Sequence, residues 1–215
     1  IRLATLDVQE VLIATQPDVI AIGPGLGNSE LASCCLRSAL SYPNVRLVID
    51  ADALNLISES AALLEQLQAR NLQYPGLTVL TPHPGEAAKL LKSTTDKVQA
   101  DRMKAIQQLA ELTQSIVALK GQNTLIASPQ HSPVRCLAGN PGMGTGGMGD
   151  VLTGCIAAIA SQGVRHQIDL WQATGIAVEL HASAADSLVN QGVGPIGLTP
   201  SETILEMRSL LNKLL

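Results

Sequence analysis

The chain has 215 residues and a formal net charge of −4, from 14 Lys and Arg against 18 Asp and Glu. No stretch clusters Lys or Arg, so we expect neither a nucleic-acid partner nor an anionic-membrane surface. Hydrophobic residues make up 46% of the chain but aromatic residues only 1%, with no Phe. The core must therefore be aliphatic, as in helices packed on a parallel sheet.

The four cysteines, Cys34, Cys35, Cys136 and Cys155, match no metal-binding spacing. We predict reduced, mostly buried thiols in a cytoplasmic protein. No apolar run reaches the roughly 18 residues of a membrane span, and no signal peptide is visible. The chain begins without Met, in what resembles a domain interior, so we expect native residues before Ile1.

The first predicted unit is a strand over residues 17–22, a glycine turn Gly23-Pro-Gly-Leu-Gly27, and a helix capped by Asn28 or Ser29. Its Gly-x-Gly-x-Gly spacing differs from the Gly-x-Gly-x-x-Gly fingerprint of dinucleotide-binding folds. Gly25 and Gly27 either let the backbone approach a ligand or are simple turn glycines.

A second strand over residues 46–50 leads through Asp50 and Asp52 into a helix that we expect to reach about Arg70. Ligands of open α/β sheets gather at the carboxyl ends of strands, where both acids would lie. We predict that Asp52 caps the helix, and we leave the role of Asp50 open.

A third strand over residues 77–80 runs into Thr81-Pro-His-Pro-Gly-Glu86. Pro84 and Glu86 suit the first turn of a helix. A lone His is usually structural, but His83 lies at another strand end with a carboxylate three residues on. We therefore favour a ligand contact for His83.

Next we expect one amphipathic helix from Asp96 to about Leu112, with Met103 in the core, and a strand over residues 115–120. Lys120, where that strand meets a glycine, is placed to neutralise phosphate; the alternative is a solvated strand-end lysine. Residues 125–127 and 134–137 indicate a hairpin, with His131 exposed in its loop.

The segment from Asn140 to Asp150 contains five glycines within eight positions, and an apolar helix follows from Val151 to about Ser161. Backbone N–H groups of such a loop, together with a helix N-terminus, can surround phosphate. Gly144 and Gly149 have P-loop spacing, but Asp150 stands where that motif requires Lys. The segment is therefore not a P-loop.

Asp150 would repel a phosphate unless it accepts a proton from the group that attacks the phosphorus. We interpret it as a general base, and the alternative is a simple helix N-cap. Two more helices follow: one over residues 169–190, whose Trp171, Glu179 and His181 we assign to packing, and one that begins at the capping box of residues 199–202.

Strands that alternate with helices predict an α/β fold with a mainly parallel central sheet flanked by helices on both faces, a three-layer αβα architecture. The carboxyl ends of parallel strands share one rim. Asp50, His83, Lys120, Asp150 and the glycines of residues 23–27 would then form a single site.

In this order, the motifs at residues 23–27, 50–55, 81–86, 120–124 and 140–150 resemble the ribokinase-like superfamily. They are most similar to its ADP- or ATP-dependent NAD(P)H-hydrate dehydratases. The glycine-Asp motif is typical of the whole superfamily, and the His-Pro-Gly-Glu motif narrows the resemblance to this branch. It covers essentially the whole chain and implies one domain over residues 1–215.

The resemblance implies repair of hydrated NADH and NADPH, NAD(P)HX, by phosphorylation of the C6 hydroxyl and elimination of phosphate, with ADP or ATP as donor and Mg²⁺. It also implies a homo-oligomer and an NAD(P)HX epimerase as functional partner. Asp150 would be the catalytic base, and Asp150, Gly25, Gly27 and His83 would face the substrate. Glu86 would organise Mg²⁺ through water. The nucleotide would contact Lys120, Gly121, Gln122, Asn123, Thr124, Asn140, Gly144, Thr145, Gly146, Gly147 and Gly149.

The family's usual opening strand and substrate-contacting segment are not found in this sequence, so we expect the domain to lack its N-terminal strand-helix segment. Two other functions remain open. One is a kinase of the same superfamily that phosphorylates a vitamin precursor and stops there. The other is a nucleotide-binding protein without catalysis.

Overall fold

The computed structural model describes residues 8–213. Six strands form one sheet in chain order, β1 to β4 parallel and β5 and β6 antiparallel. The expected mainly parallel sheet is confirmed. The strands are β1 Val19–Ile22, β2 Arg46–Ile49, β3 Thr78–Leu80, β4 Ile116–Leu119, β5 Leu125–Ser128 and β6 His131–Arg135.

Helices connect the strands and cover the sheet, and a 3-10 turn spans Pro141–Gly144. Within residues 8–213, no helix is both long and apolar enough to cross a membrane. The helices are α1 Val8–Thr15, α2 Glu30–Ser41, α3 Ala51–Glu59, α4 Ala61–Gln73, α5 Pro84–Leu90, α6 Thr95–Ala100, α7 Arg102–Thr113, α8 Met148–His166, α9 Leu170–Asn190 and α10 Pro200–Asn212.

Alternating strand residues divide the core into two layers. Leu47 and Ile49 of β2 pack on one side of the sheet with Leu54 of α3, while Val48 between them packs on the other side with Ile156 of α8. Side chains of a strand point alternately to its two faces, so each face buries its own apolar cluster. The three-layer αβα prediction is confirmed.

Two helices begin at polar caps that the sequence predicts, α2 and α10. The Ser29 side chain accepts a hydrogen bond from the Ala32 N–H, and Thr199 and Glu202 form the expected capping box of α10. Asp169 forms a second capping box at the start of α9. Such side chains satisfy N–H groups that the helix itself leaves free.

Two long predicted helices are each interrupted. Ser60 ends α3 and caps α4, so the helix expected up to Arg70 is two helices. Asp101 separates α6 from α7 and accepts a hydrogen bond from the Lys104 N–H at 3.0 Å. Met103 lies in the first turn of α7 and is 39% exposed, so its assignment to the core was wrong.

The predicted hairpin is present, but its second strand begins earlier than expected. His131 is exposed as predicted, yet it lies in β6 rather than in a loop, and its ring stacks on Trp171 with centroids 4.3 Å apart. The register between β5 and β6 is irregular between Ile126 and Ser128, and β6 contains Pro133. β6 is the outer strand on that side of the sheet.

All four cysteines are free, as predicted, but only Cys136 and Cys155 are buried; Cys34 is exposed and Cys35 half-buried. Burial, followed by a hydrogen bond to Glu179, raises the pKa of Cys136 to about 11, and burial raises the pKa of Cys155 to about 12. These two thiols stay protonated near neutral pH. The expectation about the start of the chain lies outside the described residues.

Candidate active site

Asp50 is the centre of the polar cluster at the carboxyl ends of the strands. It follows β2, and its side chain is 1% exposed. Its Oδ1 lies 2.6 Å from Lys120 Nζ, at the end of β4, and its Oδ2 accepts a hydrogen bond from Thr153 Oγ1 of α8 at 2.7 Å. One carboxylate thus joins β2, β4 and α8.

Lys120 is not the solvated strand-end lysine that the sequence left as an alternative. Its side chain is 18% exposed, and Glu86 Oε2 lies 4.0 Å from Nζ in addition to Asp50. An ammonium group has three donors, so the Asp50 hydrogen bond leaves donors for another anion. The predicted convergence of the strand ends is confirmed for Asp50 and Lys120, and Glu86 joins them.

Asp52 does not cap α3, contrary to our expectation. Asp50 is the N-cap residue, without a side-chain capping bond, and Asp52 lies in the first turn. Asp52 Oδ2 instead accepts a hydrogen bond from the Gly27 N–H at 2.8 Å. The carboxylate therefore fixes the end of the glycine turn that follows β1.

The glycine turn passes very close to β2. Gly23 has a φ of +134°, and a Cβ at this position would overlap the carbonyl oxygen of Asp50. Only glycine fits there. Gly25 and Gly27 also have positive φ, at +67° and +74°, but a Cβ at either position would meet no described atom within 4 Å. Their geometry suits turn glycines, and a substrate contact stays a prediction.

His83 is the N-cap of α5, which gives it the structural role that we had considered less favoured. Its Nδ1 accepts a hydrogen bond from the Gly85 N–H at 3.0 Å, and the His83 N–H donates to Glu86 Oε2 at 2.7 Å. The side chain is nevertheless 56% exposed. A ligand contact by its exposed edge stays a prediction.

Glu86 is held by hydrogen bonds within α5, and its implied role in organising Mg²⁺ through water stays a prediction. It is 6% exposed; one carboxylate oxygen accepts the His83 N–H and the other lies 3.3 Å from His83 Nε2. Among residues 8–213, no group of three or more His, Cys, Asp or Glu side chains could hold a metal ion. A divalent cation here would depend on phosphate oxygens and water for its ligands.

The glycine segment leads into α8, which begins at Met148, three residues before its expected start. Gly147 is the N-cap with a φ of +92°. A Cβ on Gly149 would lie 3.1 Å from Lys120 Nζ, so the first turn of α8 packs directly over this ammonium group. The N-terminus of a helix and a lysine thus lie side by side, an arrangement that suits phosphate.

Asp150 is the third residue of α8 and is exposed. The N-cap alternative was wrong, because Gly147 occupies that position. In the described part of the chain, the Asp150 carboxylate makes no hydrogen bond or ion pair. An aspartate in this state can accept a proton from a ligand.

Asp186 of α9 anchors the start of the glycine segment, a role that sequence analysis missed. Its two oxygens accept hydrogen bonds from the Gly139 N–H at 2.7 Å and from Asn140 Nδ2 at 2.9 Å. Asn140 Oδ1 in turn accepts the Gly142 N–H at 3.0 Å. Hydrogen bonds to α9 therefore hold the start of the segment in its conformation.

A cavity of about 410 Å³ lies between these elements. Eight of the eleven residues predicted to bind the nucleotide line it, and Thr145, Gly146 and Gly147 do not. Gly25, Gly27, His83 and Asp150, predicted for the substrate, lie outside its lining. The eight are Lys120, Gly121, Gln122, Asn123, Thr124, Asn140, Gly144 and Gly149.

The rest of the lining is mostly apolar and was not predicted. It includes Met143, Met148, Leu152, Val178 and Ala182. From the sequence, we assigned Trp171, Glu179 and His181 of the Ala-rich helix α9 to packing. The polar His181 and Asp186 on the Ala-rich α9 were the available signal of a site.

His181 also lines the cavity, in addition to being buried as predicted. It is 5% exposed, and its Nε2 has no hydrogen-bond partner in the described structure. Burial, and secondarily the charge of Lys120, lowers the pKa of His181 to about 4. The imidazole is therefore neutral near pH 7.

The parallel sheet between two helical layers, with a glycine segment at the N-terminus of α8, makes the protein ribokinase-like in fold. The family model for NAD(P)H-hydrate dehydratase matches residues 4–206. The chain belongs to this family.

Three similar proteins agree with that assignment. A bifunctional NAD(P)H-hydrate repair enzyme of Coxiella burnetii is 39% identical over 200 residues, which cover 93% of this chain and 38% of the relative. An ADP-dependent (S)-NAD(P)H-hydrate dehydratase of Neisseria meningitidis is 36% identical, over 94% of this chain and 66% of the relative.

The third is the crystal structure of an ADP/ATP-dependent NAD(P)H-hydrate dehydratase from Bacillus subtilis, co-crystallised with ATP and Mg²⁺. It superposes with a TM-score of 0.77 at 26% identity, over 92% of this chain and 65% of that one. The chain thus spans about two thirds of the length of the single-function relatives and 38% of the length of the bifunctional one.

Proposed function

We propose that this chain is a nucleotide-dependent dehydratase that restores NADH and NADPH from their hydrates. The phosphoryl group of the donor passes to the C6 hydroxyl oxygen while a base takes the hydroxyl proton. Phosphate then leaves C6 with the electrons of the C–O bond as a proton leaves C5, and the 5,6 double bond returns. The proposal rests on a cavity lined by Lys120 and the first turn of α8. Asp150 follows in the same turn and has no partner among the described residues.

The cavity side of the site suits the nucleotide. Lys120 and the first turn of α8 offer positive charge at one end, and the apolar face of α9 offers surface to a nucleoside. An anion gains from both the ammonium group and the helix N-terminus, whose donors are fixed before the reaction. We propose that the phosphate groups lie against Lys120 and Gly149.

Asp150 is our proposed general base. It follows Gly149 in the first turn of α8, so a group that attacks a phosphate bound there would come close to the carboxylate. Asp150 is exposed and has no partner among residues 8–213, which leaves it available to the substrate hydroxyl. A positioned base contributes about 10²–10⁴-fold in rate.

The donor is proposed to be ADP, which leaves AMP, as the name of the Neisseria meningitidis relative suggests. The Bacillus subtilis relative is called ADP/ATP-dependent, so ATP is the alternative. We propose that Mg²⁺ arrives with the phosphate groups, since Glu86 is already bonded within α5. A homo-oligomer and a cytoplasmic location stay predictions, as does cooperation with an NAD(P)HX epimerase.

The test is to incubate the chain with hydrated NADPH, ADP and Mg²⁺ and to follow the return of reduced-nicotinamide absorbance. Asp150→Asn should lower turnover by at least ~10² while it leaves the ADP affinity within a few-fold. Asp96→Asn is the matched control, because Asp96 is also an exposed acid in the first turn of a helix. Its rate should equal that of the wild type.

Three results would contradict the proposal. Near-normal turnover of Asp150→Asn would remove this residue from the mechanism. Phosphorylation of a hydroxymethylpyrimidine or hydroxyethylthiazole without coenzyme repair would identify a vitamin-precursor kinase. Nucleotide binding that Asp150→Asn leaves unchanged, with no turnover of any of these substrates, would identify a non-catalytic binding protein.

A further inference from the structure

His181 is the one buried polar side chain among the described residues that line the cavity. Four buried side-chain nitrogen or oxygen atoms within residues 8–213 have no hydrogen-bond partner: Arg70 Nε, Asn71 Oδ1, Thr78 Oγ1 and His181 Nε2. Of these four residues, only His181 lines the 410 Å³ cavity. An unpaired buried polar atom costs free energy of folding, which a ligand that pairs with it can recover.

The chemistry of this side chain limits what can pair with it. His181 is 5% exposed and stays neutral near pH 7, because burial and the nearby Lys120 disfavour the imidazolium. A neutral imidazole has one N–H donor and one acceptor nitrogen. It therefore suits an uncharged hydroxyl, amine or ring nitrogen better than it suits a phosphate group.

Apolar side chains that line the cavity with His181 also favour an uncharged ligand group. Val178 and Ala182, its neighbours on the same face of α9, also line the cavity, as do Met143 and Leu152. This wall therefore suits the flat, partly apolar nucleoside of a nucleotide.

We infer that His181 contacts the nucleoside part of the bound nucleotide and contributes to its selection over a bare polyphosphate. The hydrogen bond forms when the imidazole turns about its Cβ–Cγ bond and presents a ring nitrogen to the ligand. This inference rests on the proposed function for the identity of the ligand as a nucleotide. It gives a recognition role to a residue whose Nε2 has no hydrogen-bond partner in the described structure.

The experiment is calorimetric titration of ADP and of inorganic pyrophosphate into the wild type and two variants. His181→Leu fills a similar volume without a polar atom and should raise the Kd for ADP about tenfold. The Kd for pyrophosphate should change less than twofold. His181→Gln keeps a polar atom within reach of the Nε2 position and should retain ADP binding to within a few-fold.

Thermal unfolding separates recognition from a structural role. His181→Leu removes an unsatisfied buried atom, so its melting temperature should equal or exceed that of the wild type. His166→Gln is the control, because His166 is exposed in the last turn of α8. It should change neither ligand's affinity.

Equal ADP affinity of His181→Leu and the wild type would overturn the inference. Equal weakening of ADP and pyrophosphate would also overturn it, because the contact would then not be specific to the nucleoside. The proposed function fails separately, if the wild type binds ADP in a His181-dependent manner but does not restore hydrated NADPH. If the wild type and His181→Leu both turn over normally and bind ADP equally, only the role of His181 is overturned.

Discussion

Asp50 and Asp150 both belong to the region around the first turns of α8, yet their physical states are opposite. Asp50 is 1% exposed and pairs with Lys120 and Thr153. Asp150 is exposed and has no partner in the described structure. The paired carboxylate of Asp50 holds the elements of the site together. The unpaired carboxylate of Asp150 is available to react with a ligand.

The difference also explains why the two aspartates are not interchangeable as candidates for catalysis. A proton taken up by Asp50 would break its bond to Lys120, and the lysine would then lose the group that fixes its position. A proton taken up by Asp150 disturbs no internal hydrogen bond. The four predictions that follow test this contrast, and they run from the largest expected effect to the smallest.

Asp50→Asn should reduce the free energy of unfolding by about 3–4 kcal/mol, because it removes the nearer counter-charge of the largely buried Lys120 and leaves only Glu86, 4.0 Å away. Asp150→Asn should cost less than about 1 kcal/mol, mainly the interaction of its charge with the helix N-terminus. Urea unfolding of both variants measures the contrast. Equal losses of unfolding free energy would contradict a structural role for Asp50 that Asp150 does not share.

His181 sharpens the comparison because it is buried like Asp50, and its Nε2, like the Asp150 carboxylate, has no partner within residues 8–213. Its pKa is lowered from 6.5 to about 4 in the folded protein. As the pH falls from 6.5 towards 4, the unfolded chain binds a proton that the folded protein does not, so stability decreases. The loss should reach about 3 kcal/mol by pH 4.

Carboxylates also titrate in this range, so the measurement is the difference between the wild type and His181→Leu in urea unfolding at pH 7 and pH 4. The variant should lose less stability on acidification. His166→Gln should follow the wild-type curve. Parallel curves for the wild type and His181→Leu would show that His181 titrates normally in the folded protein.

Asp186→Ala should weaken ADP binding about tenfold, because the carboxylate makes two hydrogen bonds that orient the glycine segment. Since Asp186 acts through Gly139 and Asn140, the KM for the nucleotide should rise more than kcat falls. Ser183→Ala, on the same helix, should leave both values near wild type. A fall in kcat alone would contradict a positioning role.

Asp52→Ala should have the smallest effect, about 1 kcal/mol of unfolding free energy, from loss of the Gly27 hydrogen bond. Steady-state kinetics then distinguish the two interpretations of Gly25 and Gly27. An unchanged KM for the hydrated coenzyme would favour simple turn glycines, and a raised KM would favour a substrate contact at the turn.

Local signals in the sequence were sufficient for much of the fold. Alternation of strands and helices predicted the parallel sheet, and the capping residues Ser29 and Thr199 gave correct helix starts. The two interrupted helices were missed because Ser60 and Asp101 interrupt apolar patterns that continue on both sides of them. A polar residue within such a pattern does not by itself indicate a new N-cap.

Part of the cavity lining was predictable where residue type and strand end coincide, as for Lys120. The pairings at the site were not. Lys120 and Asp50 lie 70 residues apart in the chain, and only the packed sheet determines that they meet at 2.6 Å. His181 and Asp186 were missed for the same reason, since the helix pattern of α9 cannot show which of its faces borders a cavity.

The outer strand β6 also limits how this sheet can associate. Pro133 has no N–H to donate, and the register with β5 is irregular along the same short strand. A main-chain edge with a missing donor and uneven spacing is a poor template for a strand from another molecule. Copies that meet along this border would therefore depend on side-chain complementarity, and continuous sheets across molecules are disfavoured.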